Sequence, residues 1–218
     1  MMVFNSDRHY QPIARPDLLG SAPPVIVLVS KLALIAQTPA TASEREVNHS
    51  TSWPKSANLS LFENQYNGTI PLGLLRTVVP AAPDAWITVL KNYGTMSFGE
   101  VASSAIKYAR EGITVHPTMS KFLSRYQENY RMWPSNSNIW QKNGHPLEVG
   151  DLLIQTDLAA SIQFMADQEA AAMKDSREKG LQAARDAFYV GDIASKIVKY
   201  HKENGGLMTA DDMASYAT

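Results

Sequence analysis

The chain has 218 residues, and its 20 Lys and Arg nearly balance its 21 Asp and Glu, leaving a formal net charge of −1. That length suits one domain, a hydrophobic fraction of 44% excludes wholesale disorder, and the near-neutral charge argues against a nucleic-acid binder, which carries a strongly basic face. Cysteine is absent, so disulfides, thiolate metal sites and a cysteine nucleophile are excluded together.

Residues 1–58 read as irregular or poorly ordered. Prolines stand at 12, 16, 23, 24, 39 and 54, and the stretch from Gln37 to Ser52 is rich in Ser, Thr and Ala. The run Val25–Val29 predicts one short strand. The most apolar stretch, Val25 to Ala36, is twelve residues long with Lys31 inside it, where a membrane-spanning helix needs about 20. No membrane span is expected. A signal-peptide reading has Arg8 and Arg15 upstream and Ala40-Thr41-Ala42 as a small-residue site. The internal charge and the late start count against it. Glycosylation triplets start at Asn48, Asn58 and Asn67. Chance occurrence in Asn- and Ser-rich sequence explains them as well.

From about residue 83 the pattern turns helical. Pro83 opens a segment from Asp84 to Asn92 that stops at Gly94. Ser97 and Glu100 form a capping box, each side chain taking a backbone N–H that a helix start leaves free. Behind it Phe98, Val101, Ala102, Ala105, Ile106 and Ala109 recur at helical spacing, and Gly112 ends the run. Pro117 opens another helix, with Met119, Phe122, Leu123, Tyr126 and Tyr130 on one face. Residues 131–151 carry turn residues, among them Pro134 and Asn143-Gly144, and predict two short strands or a hairpin loop. Helices return from Asp157, with Leu158, Ile162 and Met165 on one face. The charged stretch Lys174 to Lys179 reads as a solvated face, and Gly180 as a helix interruption. Leu181 to Tyr189 ends at Gly191, Asp192 caps a helix reaching Gly205-Gly206, and Thr209 with Asp212 starts one more.

The residues name no mechanism by themselves. Neither phosphate-cradling glycine pattern is present, nor a G-x-S-x-G elbow. The histidines, at 9, 49, 116, 145 and 201, are not paired at metal-ligand spacing. Asp211 and Asp212 read as first-turn charge complementing the helix dipole. Asp167 and Glu169 are placed on an exposed helical face. His201 lies near a helix C-terminus, where a cation is stabilised, and is read as structural; His116 reads as a turn residue, with a substrate contact as the alternative. Trp86, Trp133 and Trp140 with Tyr126 and Tyr130 line either a pocket or, by default, a core.

An ordered series of motifs resembles one family. Thr77-Val78-Val79-Pro80-Ala81 is followed by the block from Tyr93-Gly94 to Glu100-Val101, then by Ala105-Ile106 and Ala109-Arg110-Glu111-Gly112. Gly150-Asp151, Gln155, Asp157 and Leu158 come next. Phe188-Tyr189, Gly191 to Ala194, and Gly205-Gly206 with Leu207 to Met213 complete it. The series, over about residues 59–218, resembles the large-subunit region of the gamma-glutamyltransferase family. Asp84-Ala85-Trp86 after the proline step looks closer to its acylase and amidohydrolase-like branch. The resemblance implies an N-terminal nucleophile hydrolase with an αββα sandwich. In that family a precursor cuts itself before a threonine, which then attacks an amide with its own α-amine as base.

The departures shape the expectation. The family's processing threonine lies beyond the segment matched here, so Thr218 is not that nucleophile. The family's glycine-rich helix start and substrate-binding Arg-x-x-Pro segment are missing. Trp53-Pro54-Lys55-Ser56-Ala57-Asn58 stands where the arginine belongs, and Lys55 supplies charge without a bidentate fork. Ala81 replaces a glycine, at a cost if φ must be positive there. The expected fold is α+β, mostly α-helical: residues 59–218 as an incomplete large-subunit piece of the αββα sandwich, behind irregular residues 1–58. No residue is assigned a catalytic, substrate-binding or metal role, and no cofactor is implied. The implied partners are the missing small subunit or C-terminal half and, in the complete enzyme, a gamma-glutamyl or related amide substrate. A truncated chain of this kind is expected to be inactive alone. The alternatives are a non-enzymatic α-helical interaction module, exposing Val101, Ile106, Phe122 and Leu123, and a soluble α-rich domain with neither role.

Overall fold

A computed structural model describes residues 52–218. The strand expected at Val25–Val29, the signal reading, the glycosylation triplet at Asn48, His9 and His49 lie outside the described residues, whereas Asn58 and Asn67 cap the two ends of the helix Leu59–Tyr66. The first half contains α1 (Leu59–Tyr66), a 3-10 turn (Leu74–Arg76), α2 (Ala82–Tyr93), α3 (Phe98–Glu111), β1 (Ile113–Thr114), α4 (Pro117–Arg125), α5 (Gln127–Arg131) and α6 (Pro134–Trp140). Then follow β2 (Gln141–Lys142), β3 (His145–Pro146), β4 (Leu152–Leu153), α7 (Thr156–Ala172), α8 (Arg177–Tyr189), α9 (Asp192–Glu203) and α10 (Ala210–Ala214). The described residues are mostly helical. Their strands form two antiparallel pairs, β1 with β4 and β2 with β3.

The main core lies where α3, α7, α8 and α2 meet, around Phe98, Val101, Ile162, Met165, Leu181 and Leu90. Small residues set its tightness. Ala102, Ala105 and Ala109 on α3 and Ala159 and Ala166 on α7 are all buried. Gly180 lies so close to α7 that an added Cβ would sit 3.1 Å from the Glu169 carbonyl oxygen. Gly180 therefore stands inside α8 as a packing contact and does not interrupt a helix. The break comes earlier, between Ala172 and Arg177. A second cluster joins Val79, Tyr189, Met208, Met213 and Tyr216. A third gathers Val115, Leu123, Leu147 and Leu153 under Tyr130 and Trp140.

The local signals that matched their elements share a mechanism: each satisfies backbone groups at a helix end. Ser97 accepts from the Glu100 N–H at 3.2 Å, and the Glu100 carboxylate accepts from the Ser97 N–H at 2.8 Å. Thr209 and Asp212 repeat this box at α10. The Asn143-Gly144 turn has φ of 53° and 78°, the doubly positive pair that a tight two-residue hairpin needs. Ser97→Ala removes one cap and is expected to lower stability by about 1 kcal/mol, read as a shift in urea midpoint.

Other expectations are corrected. Pro117 does open a helix, but it breaks at Tyr126 (φ −112°, ψ 21°). Met119, Leu123 and Tyr130 turn inward, whereas Phe122 is 50% exposed and stacks on Tyr126 with ring centroids 6.2 Å apart. On α7 the buried stripe is Ala159, Ile162, Met165 and Ala166, and Leu158 is 42% exposed. Val101, Ile106 and Leu123 are buried, so the apolar interaction face is not exposed as a unit. Helices α1 and α6 arise where no helix was expected. In α1 the Asn58 side chain accepts the Leu61 N–H at 2.9 Å, but Phe62 is its one buried residue, which leaves almost no periodic signal. Ala81 has φ −89°, so no left-handed penalty arises there.

Candidate functional site

The densest polar cluster lies where α2 starts, α8 ends and the chain reaches Thr218. Asp84 is 3% exposed. One of its oxygens takes the Arg185 Nε–H. The other accepts from the Thr218 N–H at 2.7 Å and from the Thr218 hydroxyl at 2.6 Å. Arg185 also donates to the Tyr216 carbonyl and lies 4.9 Å above the Tyr189 ring. The Tyr189 hydroxyl donates to the Pro80 carbonyl and accepts the Asp84 N–H at 3.1 Å. Burial pushes the Tyr189 hydroxyl well above the usual phenol range, with backbone hydrogen bonding at Asp84 opposing it. Tyr216 stacks on Tyr189, 5.7 Å between centroids and 12° between planes. Both Asp84 oxygens are taken by donors, so this cluster is an anchor; it does not offer Thr218 a free base.

Glu169 forms a second site. It is 1% exposed, against the expectation of an exposed face. Its two oxygens accept from the Phe98 N–H at 2.7 Å and the Gly99 N–H at 2.8 Å. A carboxylate on α7 thus caps the N-terminus of α3, where the helix dipole favours negative charge. The warning lay in the sequence: Glu169 continues the inward stripe of Ile162, Met165 and Ala166. Asp167 stays outside, bonded to Gln163 at 2.9 Å. Beside Glu169, a groove of about 540 Å³ runs between α3 and α7, edged by Glu100, Lys107, Arg110 and Asp167. In the charged stretch after α7, Arg177 is not simply solvated. It donates to the Leu90 and Met96 carbonyls at 2.7 and 2.9 Å.

The remaining candidates are dispersed. His201 is 5% exposed, and burial holds its pKa below the ordinary value. Its Nδ1 accepts the Met208 N–H at 3.3 Å, so the ring is neutral in the fold and is not a helix-end cation. Lys55 pairs with Asp211, and that bond raises its pKa. The Lys55 N–H donates to Asp212 at 2.9 Å. Burial works to raise the Asp212 carboxyl, but hydrogen bonds from Thr209 and Lys55 outweigh it and hold it below its ordinary range. His116 caps α4 through Nδ1. The five aromatics do not converge: Trp86 packs on the main core, Tyr130 and Trp140 on the third cluster, and Trp133 lies against Gly73. Among the described residues no three His, Asp or Glu gather as a metal set. None of their helices is long and apolar enough to cross a membrane.

The family model for gamma-glutamyltranspeptidase matches residues 32–218. The chain belongs to the gamma-glutamyltranspeptidase family. It is 32% identical over 143 residues to the glutathione hydrolase proenzyme of Escherichia coli, covering 65% of this chain and 22% of that one. The fold is also that of two solved structures. Helicobacter pylori gamma-glutamyltranspeptidase aligns with a TM-score of 0.68 at 22% identity, over 99% of this chain and 66% of that one. Cephalosporin acylase from Bacillus halodurans aligns with a TM-score of 0.68 at 20% identity, over 99% and 46%. The chain spans about a quarter of the length of the curated relatives it matches. Within the gamma-glutamyltranspeptidase match fall all the motifs from Thr77 to Met213, and the Asp84 N–H bond to the Tyr189 hydroxyl joins two of them.

Proposed function

We propose that this chain supplies a helical part of the large subunit of an N-terminal nucleophile hydrolase acting on gamma-glutamyl or related amides, and that it has no turnover alone. The observation carrying this reading is the family match over residues 32–218 together with a span of only 22% of the Escherichia coli proenzyme. In the family reaction an N-terminal threonine attacks the amide with its own amine as base. Thr218 does not supply that arrangement, because its hydroxyl and its N–H both donate to Asp84. The sheets of an αββα sandwich likewise need partners, since the described strands are two residues long. The proposed working unit is residues 59–218, with residues 52–58 tied to it through Lys55. A small subunit or C-terminal half would bring the nucleophile. The interaction-module alternative keeps only Phe122 of its four named residues exposed.

The purified chain is expected to release no p-nitroaniline from gamma-glutamyl-p-nitroanilide, and to do so only with a separately expressed threonine-bearing small subunit. Turnover by the chain alone would overturn the proposal.

A further inference from the structure

The turn between α9 and α10 is organised around one imidazole. Helix α9 ends in a Schellman arrangement: Gly205 has φ 74°, and the Gly206 N–H returns to the His201 carbonyl at 2.7 Å. The His201 ring lies under the same turn. Its Nδ1 accepts the Met208 N–H, so that nitrogen carries no proton and Nε2 does. Gly206 rests directly on the ring; an added Cβ would lie 2.2 Å from Nδ1. Both the backbone and the side chain of His201 therefore hold the path from Asn204 to Met208.

We propose that His201 is an acid-sensitive latch: neutral, it ties the α9–α10 turn and holds α10 with Tyr216 against α8; protonated, it releases them. A proton on Nδ1 sets N–H against the Met208 N–H and removes the acceptor that this amide needs. It also places a charge on a buried ring, and burial alone accounts for the lowered pKa of that ring.

The charged groups of the packed elements have other partners. From α10, Asp212 holds Thr209 and the Lys55 N–H, while Asp211 pairs with Lys55. From α8, the Tyr189 hydroxyl sits on the Pro80 carbonyl. On α9 itself, Lys199 and Glu203 pair at 3.9 Å, and Lys202 is exposed. The turn residues 204–208 carry no titratable side chain. Met208 and Met213 share a buried cluster with Tyr189 and Tyr216, so losing the turn loosens the docking of α10.

The folded pKa lies below the ordinary 6.5. The latch is thus fully closed above the unfolded value and is lost as pH falls through the folded one. Asp212, held below its ordinary 3.8, loses its bonds in a lower, separate window.

Amide hydrogen exchange on the 218-residue chain between about pH 7.5 and 5, the span in which histidine titrates, tests the latch. After correction for the intrinsic chemical rate, Met208 opening is expected to rise by up to about tenfold per pH unit below the folded pKa. The core amide of Leu181 should not follow. His201→Asn, whose side-chain oxygen can accept the same N–H but does not titrate, should remove the step. A flat Met208 profile, an equal loss at Leu181, or a step that persists in His201→Asn would overturn the latch. Should His201→Asn fail to fold, the His201 Cε1–H titration of the unmodified chain decides: a midpoint at or above 6.5 overturns it and one below supports it.

Discussion

Replacing Arg185 with methionine is expected to destabilise the chain by roughly 3–5 kcal/mol, the range for breaking a buried ion pair by removing one partner. The pair joins α2 to α8, and Asp84 is nearly inaccessible to solvent. Methionine fills much of the aliphatic volume of arginine but leaves the Asp84 carboxylate with Thr218 as its side-chain and terminal-segment donor. It also removes the donor to the Tyr216 carbonyl and the cation over the Tyr189 ring. The effect is therefore a joint loss from α2, α8 and the Tyr216–Thr218 segment. Urea unfolding measures it as a lower midpoint at unchanged m. Adding Asp84→Asn to Arg185→Met should recover part of the loss, because the uncompensated charge is then gone. A single-variant loss below about 1 kcal/mol, the range of solvent-screened pairs, would show that water reaches the pair.

What the sequence made legible, and what it did not, divides by sequence distance. Ser97 with Glu100 and Thr209 with Asp212 are three residues apart, and a local rule describes each pair completely. Asn143-Gly144 is likewise a local choice of positive φ. By contrast, 101 residues separate Asp84 from Arg185, and no periodicity joins an early Asp to a late Arg. For His201 the helix position favours a cation, while its environment does not. Gly206 on its ring and the Met208 N–H on Nδ1 come from a turn that folds back over it. Family resemblance succeeded where chemistry alone did not, since the order of the turns at Gly94, Gly112, Gly191 and Gly205 records the packing of the helices between them. It could not show which side chains lock those helices together.

Glu169→Ala is expected to cost roughly 3–6 kcal/mol, taking two hydrogen bonds to a charged acceptor at about 1.5–3 kcal/mol each. The reason is a complete account of the N-terminus of α3. A helix start leaves its first N–H groups without intrahelical partners. Here the Ser97 N–H goes to Glu100, the Phe98 and Gly99 N–H groups go to Glu169, and the Glu100 N–H goes to Ser97. The Val101 N–H then makes the first helical bond, to the Ser97 carbonyl at 3.3 Å. Alanine at 169 orphans two donors, and the Phe98 donor lies in a buried bond. Glutamine separates charge from shape. One of its terminal atoms is an NH₂ group, which would meet an N–H head-on, so Glu169→Gln should recover at most part of the loss. Thermal melts followed by far-UV circular dichroism give the ranking, with unmodified chain above Glu169→Gln and Glu169→Ala lowest. Equal stability of all three would mean that water can replace the carboxylate at this helix end. Because α3 and α7 carry the largest share of the main core between them, the same bonds fix the register of the two helices. Their loss should therefore widen exchange of the Val101 and Met165 amides together, whereas loss of the Ser97 cap should be confined to the first turn of α3.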